Sequence, residues 1–170
     1  MIRASGLAAA AALALAGPAL AAPAPKVAIA SFAELPTPLP YPYDEAANAD
    51  RVVAAARARA LAHHKLLLID LGGNWCGDCR VLAGTMALAP LKAFVAAHYE
   101  VATVDVGRFD KNLQVPAHYG IHNRLEGVPS LLIVDPRTDR LLDAGHVAAL
   151  ADARHMTPQA LADWLAQWVR

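Results

Sequence analysis

Cys76 and Cys79 stand three positions apart, where the aliphatic run Leu66, Leu67, Leu68, Ile69 gives way to the small and polar stretch Gly72-Gly73-Asn74. A short apolar run with no polar alternation reads as a strand buried on both faces, the kind that belongs in a parallel or mixed sheet. Helical spacing resumes at the cysteines and continues to about Leu88. The pair therefore marks a junction from strand to helix, and a chain organised around such a junction is α/β. It holds the only 2 cysteines in 170 residues. That is too few for a disulfide scaffold, and a chain of this size buries a core without staples.

The remaining pattern fits the same class. Asp44 to His64 reads as a helix, with Val52, Val53, Ala56, Ala60 and Leu61 at helical spacing and His63 and His64 at the surface of its last turn. Pro90 opens a second helical piece after the cysteines, and "VATVDV" follows as a strand. After a short helix ending near "HYGI", the stretch "SLLIVD" reads as a third strand, and turn residues "DPRTDR" suggest that "LLDAG" pairs back antiparallel. Thr157 as N-cap and Pro158 at the first helical position start a closing helix with Leu161, Trp164, Leu165 and Trp168 on one face. The expected architecture is a central mixed β-sheet flanked by helices, preceded by an N-terminal helix and a proline-rich segment.

The N-terminus speaks to compartment. Arg3 supplies a positive start, Leu7 to Leu15 is uncharged and rich in Ala and Leu, and Gly17-Pro18 breaks it ahead of Ala19-Leu20-Ala21. This is the layout of a secretory signal peptide over residues 1–21, cleaved after about Ala21. The run is shorter than the ~20 residues of a membrane-spanning helix, so no span is expected after cleavage. No cysteine follows the cut to carry a lipid. The expected product is exported, periplasmic or secreted. Residues 22–43, with four prolines between Pro36 and Pro42, form a proline-rich linker or extended segment, and 44–170 form the domain. Acidic and basic residues balance at 15 each, which leaves no electrostatic footprint for nucleic acid.

At a helix N-terminus, free amide groups and the helix dipole stabilise a thiolate, so Cys76 is expected to attack and Cys79, one turn further in, to resolve. Two other uses of the pair compete. Cys76 and Cys79 with His118 and His122 could form a tetrahedral zinc site, or the same pair could bind copper. Alternatively the pair could be a locked disulfide in a non-catalytic binding module.

The sequence "WCGDC" preceded by "LLLID" resembles the thioredoxin family, whose active site has the form Trp-Cys-Gly-x-Cys. Asp70 stands six residues before Cys76, the place of that family's buried acid, and "GVPS" with Pro129 is similar to its cis-proline element. "YGI" at Tyr119 to Ile121, with Asn112 nine residues before Ile121, is similar to the stretch leading there. Over roughly residues 44–170 the resemblance implies a thioredoxin-like fold and a thiol-disulfide oxidoreductase. It implies Cys76, Cys79 and Asp70 as catalytic residues, Asp70 exchanging a proton with the resolving thiol, and Trp75, Gly77, Asp78, Val128 and Pro129 as the substrate-facing surface. Pro129, if cis, would leave the Val128 backbone free to pair with a substrate strand. The redox-active disulfide serves in place of any cofactor, no metal is implied, and the partners are a substrate protein carrying a disulfide and an electron donor of unknown identity.

Three departures stand out. Gly77-Asp78 replaces the usual Gly-Pro, and a carboxylate beside the thiolate opposes its ionisation and favours the disulfide, with Arg80 as a partial offset. This predicts a reductant. Thr103 stands where family members often carry a lysine near the buried acid. An insertion, "HNRLE", adjoins the proline loop and makes Arg124 and Glu126 candidate specificity contacts.

Overall fold

A computed structural model describes residues 22–170, and the expected signal peptide lies outside the described residues. The elements in chain order are α1 (Ala49–His63), β1 (Leu66–Gly72), α2 (Gly77–Met86), α3 (Ala89–His98), β2 (Tyr99–Asp105), α4 (Gln114–His118), β3 (Ser130–Asp135), β4 (Arg140–Leu141) and α5 (Pro158–Ala166). The four strands form one mixed sheet in the order β2-β1-β3-β4. The β1–β2 pair is parallel, while β3 runs antiparallel to both β1 and β4.

The aliphatic run of β1 lies at the centre of this sheet, which is why it carries no polar alternation. Successive side chains of a strand point to opposite faces. Leu67, Ile69 and Leu71 pack with Ala56 and Ala60 of α1, whereas Leu68 joins Leu82 of α2, Leu91 and Val95 of α3, and Leu161 and Leu165 of α5. Two apolar layers thus clamp β1, and the C-terminal end of that strand is held where it feeds the cysteine loop.

Three boundaries differ from the sequence reading. Helix α1 begins at Ala49 instead of Asp44, because the Asn48 side chain accepts from Arg51 N at 2.9 Å and Asp44 Oδ1 accepts from Ala46 N at 3.0 Å. Both side chains offer the backbone an alternative to helix. Strand β4 is two residues long, since beyond it the carboxylate of Asp143 takes over the amide of Ile133 at 2.9 Å. Trp168 lies past the end of α5, packed edge-on against Trp164.

The proline-rich residues 22–43 form a strap laid on the domain. Ala22 N donates to Val169 O at 2.8 Å, Val27 N to Gln159 Oε1 at 3.0 Å, and Leu35 is buried. The strap crosses α2 at Gly84, where a Cβ would meet Leu39 Cδ2 at 3.2 Å and Leu35 Cδ1 at 3.4 Å. Arg80 fastens it, donating to the carbonyls of Leu39 (2.9 Å) and Pro40 (3.1 Å) and stacking on the Tyr41 ring at 3.9 Å.

Candidate functional site

The loop after β1 delivers Cys76 to the N-cap of α2, where its Sγ accepts from Cys79 N at 3.1 Å. Cys76 and Cys79 form a disulfide with Cα atoms 5.2 Å apart across the first helical turn. Cys79 is fully buried and Cys76 nearly so, with the exposed Gly77 and the buried Asp78 between them. The helix terminus thus directs amide dipoles at Cys76, an arrangement that favours a thiolate there once the bond is reduced.

Opposite the disulfide, the Val128–Pro129 peptide bond is cis, and the Val128 carbonyl oxygen lies 3.3 Å from Cys76 Sγ. Ser130 opens β3 and closes the loop by donating to Gly127 O at 2.7 Å. Cys76, Val128 and Pro129 therefore meet, although 52 residues separate Cys76 from Val128.

Asp70 lies on β1, paired in register with Thr103 of β2 and Leu131 of β3, and is 2% exposed. Burial pushes its carboxyl up to about 7, against the opposing pull of a hydrogen bond that Tyr43 Oη donates at 2.8 Å. The Tyr43 hydroxyl is itself pushed far upward, first by burial and then by the neighbouring Asp70 charge. Thr103 does not reach Asp70; its hydroxyl donates to Pro42 O of the strap at 3.1 Å.

The charge expected to lie bare beside the cysteines is paired. Arg154, in a 3-10 turn before α5, donates through Nε to both Asp78 carboxylate oxygens at 3.0 and 3.1 Å, and its backbone N adds a third bond at 2.9 Å. Its Nη2 also contacts Asp78 Oδ2. Burial alone would raise the Asp78 carboxyl, but the side-chain and backbone bonds from Arg154 overcome it and hold the group below the ordinary carboxylate value. The offset expected from Arg80 comes instead from Arg154, because Arg80 is committed to the strap.

Trp75 is 42% exposed and rests beside the disulfide with Nε1 donating to Gly107 O at 2.7 Å. Arg108 lies over its ring at 4.3 Å, Phe109 meets it edge-on at 6.1 Å, and Arg124 lies over Phe109 at 4.3 Å. The insertion is thereby tied into the surface around Trp75 through Arg124, while Glu126 is exposed nearby. His118 ends α4 with Nε2 2.8 Å from Asp139 Oδ2, and His122 lies beyond a turn at Gly120. Among the described residues no group of three or more His, Cys, Asp or Glu side chains is placed to hold a metal ion.

A model of a thioredoxin-like family matches residues 48–136, more than half of the chain. This chain belongs to the thioredoxin-like family. A solved structure, the disulphide isomerase from Xylella fastidiosa Temecula1, is 36% identical and covers 75% of this chain and 96% of its own, with a TM-score of 0.69. A thioredoxin from Alicyclobacillus acidocaldarius subsp. acidocaldarius is 29% identical over 75 residues, and the match spans 44% of this chain and 63% of that protein. The mixed sheet with flanking helices is the thioredoxin-like fold.

Sequence reasoning placed Cys76, Cys79, Asp70, Trp75, Gly77, Asp78, Val128 and Pro129 around one junction, and the thioredoxin-like fold brings them to one end of β1. It missed Tyr43 and Arg154. For Tyr43 a trace existed: Gly72 ends β1 without a side chain, a sign that something approaches the backbone closely. No local signal pointed to Arg154.

Proposed function

We propose that this protein is an exported thiol-disulfide oxidoreductase that reduces disulfides in substrate proteins. The observation carrying this reading is Cys76 Sγ at the N-cap of α2, accepting the Cys79 amide and lying against the Val128 carbonyl next to cis-Pro129. An electron donor first supplies two electrons to the Cys76–Cys79 disulfide. The Cys76 thiolate then attacks a substrate sulfur, the substrate S–S bond breaks, and the departing sulfur leaves as a thiolate that takes a proton. Cys79, having lost its proton towards Asp70, attacks Cys76 Sγ and releases the second substrate thiolate. The disulfide is the redox group, and the chemistry calls for no further cofactor or metal.

In this reading the substrate chain lies over Trp75, Gly77, Val128 and Pro129, pairing with the Val128 backbone, while Asp78 acts through its charge because its carboxylate is turned to Arg154. The name of the Xylella relative favours a second outcome of the same chemistry, in which the mixed disulfide is resolved by another substrate thiol and the bond is reshuffled. Residues 1–21 act as the signal peptide and 44–170 as the working domain. No single helix among the described residues is long and apolar enough to cross a membrane.

The test is a pair of variants assayed on a disulfide-bearing protein. Cys76→Ala abolishes reduction, and Cys79→Ala accumulates mixed disulfides. Full activity in either overturns the reading, and unchanged partner binding by Cys76→Ser would favour a non-catalytic binding module. Export is checked by the mature N-terminus, expected at Ala22.

A further inference from the structure

The donor that reaches the Asp70 carboxylate comes from outside the sheet and outside α2: it is the hydroxyl of Tyr43, the last residue of the strap. Tyr43 is 3% exposed, and the active-site loop itself grips its backbone. Asn74 Oδ1 accepts from Tyr43 N at 3.1 Å and Asn74 Nδ2 donates to Tyr43 O at 2.8 Å, with Asn74 only two residues before Cys76. Thr103, opposite Asp70 in the sheet, secures the preceding residue through Pro42 O.

The resolving cysteine lies close by. A Cβ at Gly72 would collide with the Tyr43 hydroxyl and lie 2.9 Å from Cys79 Sγ. Hydroxyl and sulfur therefore crowd one small volume, which stays open because residue 72 has no side chain. The hydroxyl donates to the acid and shares the space beside Gly72 with the sulfur.

Resting on the oxidoreductase reading above, we infer that Tyr43 is a proton-positioning residue that links the Cys79 thiol to Asp70 during resolution of the mixed disulfide. In that step Cys79 gives its proton to the Tyr43 oxygen while the Tyr43 proton moves to the Asp70 carboxylate, so the phenol ends neutral. The Cys79–Cys76 S–S bond forms, the bond from Cys76 to the substrate breaks, and the electron pair leaves on the substrate sulfur, which is protonated by solvent. When a donor next reduces the disulfide, the proton returns from Asp70 to Cys79 by the same route.

The surroundings suit this task. The titratable groups around Tyr43 and Asp70 are Cys79 from α2 and Asp105 from the end of β2, whose charge further disfavours a phenolate. Lys111 offsets Asp105 from 3.4 Å. β3 presents the uncharged Leu131 opposite Asp70. Tyr43 thus stays a neutral donor across the range in which Asp70, pushed up to about 7, changes charge.

The test uses the reduced full chain and one equivalent of an aromatic disulfide that releases a coloured thiolate. The first release reports attack by Cys76 and the second reports resolution by Cys79, followed from about pH 5 to about pH 9. Tyr43→Phe keeps the ring and its packing. It is expected to leave the first release at the wild-type rate, to slow the second about tenfold near neutral pH, and to move the midpoint of the second about one pH unit upward. Loss of the donor also moves the titration of the protonated-carboxyl infrared band, assigned by its disappearance in Asp70→Asn, upward by a similar interval. Loosened packing alone would disturb both releases without moving either midpoint, and that result overturns the inference. So does a normal second release in Tyr43→Phe, or a further slowing when Tyr43→Phe is added to Asp70→Asn. A wild-type protein with no first release would instead overturn the oxidoreductase reading itself.

Discussion

Arg154 neutralises Asp78 from 76 positions further along the chain, with side-chain and backbone donors converging on a carboxylate that sits between the two cysteines. The arginine remains 58% exposed at its side chain while the carboxylate is 7% exposed, so the positive end of the pair faces solvent beside the disulfide. A lone carboxylate there would oppose a thiolate on Cys76, whereas a paired one does so weakly. The bias towards a strong reductant that Asp78 suggests on its own is therefore reduced.

Arg154→Met restores that bias. Freed of its partner, the Asp78 charge raises the thiol pKa of Cys76, destabilises the reduced form and makes the reduction potential more negative, by on the order of 30 mV. Asp78→Asn leaves an unpaired guanidinium and moves the potential the other way. Equilibration with glutathione buffers, read through Trp75 fluorescence, measures both. Two unchanged potentials would mean that the pair does not act on the dithiol.

Asp70 makes folding stability depend on pH. Its carboxyl is protonated in folded and unfolded chains at low pH; the unfolded chain releases the proton near 3.8 and the folded one only near 7. The folded state binds more protons between those values, so stability falls as pH rises through that window and the loss is constant above it. Asp70→Asn should remove up to about 4 kcal/mol of this cost. The variant is expected to melt higher than wild type above pH 7 and near the wild-type temperature around pH 4. Parallel melting curves at all pH values would place the acid's titration elsewhere.

The parts of the molecule that are legible in its sequence are those where local pattern and tertiary role agree. Unbroken apolar runs in β1 and β3 identify central strands, and Thr157-Pro158 marks the start of α5. Cys76 is legible as an N-cap because strand pattern ends and helix pattern begins beside it. What fails is contact at long separation that no motif marks: the bonds of Tyr43 to Asp70 and Arg154 to Asp78 span 27 and 76 residues. The proline-rich strap misleads for a related reason. Its composition prescribes an extended chain but is silent on where that chain lies, which Arg80, Gly84 and Thr103 decide.

Arg80→Ala should loosen that strap. It removes the bonds to Leu39 and Pro40 and the stack on Tyr41, while Leu35 and Tyr43 remain buried anchors on either side. The two lost hydrogen bonds contribute about 1 kcal/mol each, so the backbone order parameters of Leu39 and Tyr41 are expected to fall from about 0.85 in wild type to below about 0.6 in the variant. Unchanged order parameters would show that apolar packing alone holds the segment.

Trp75 offers its exposed ring beside the disulfide, with Phe109 and Arg124 stacked outward from it towards the insertion. A folded substrate must cover this surface to present its disulfide to Cys76, whereas a small disulfide needs only the sulfur. Trp75→Ala is therefore expected to lower kcat/KM for a protein substrate roughly tenfold or more, the scale of a buried tryptophan anchor. The same variant should react with a small aromatic disulfide within about twofold of wild type. Arg124→Ala removes one exposed cation–π contact worth about 0.5–1 kcal/mol, and its effect on the protein substrate should be correspondingly smaller, about threefold. Equal losses on both substrates would assign Trp75 to the chemistry of the cysteine pair instead of to substrate docking.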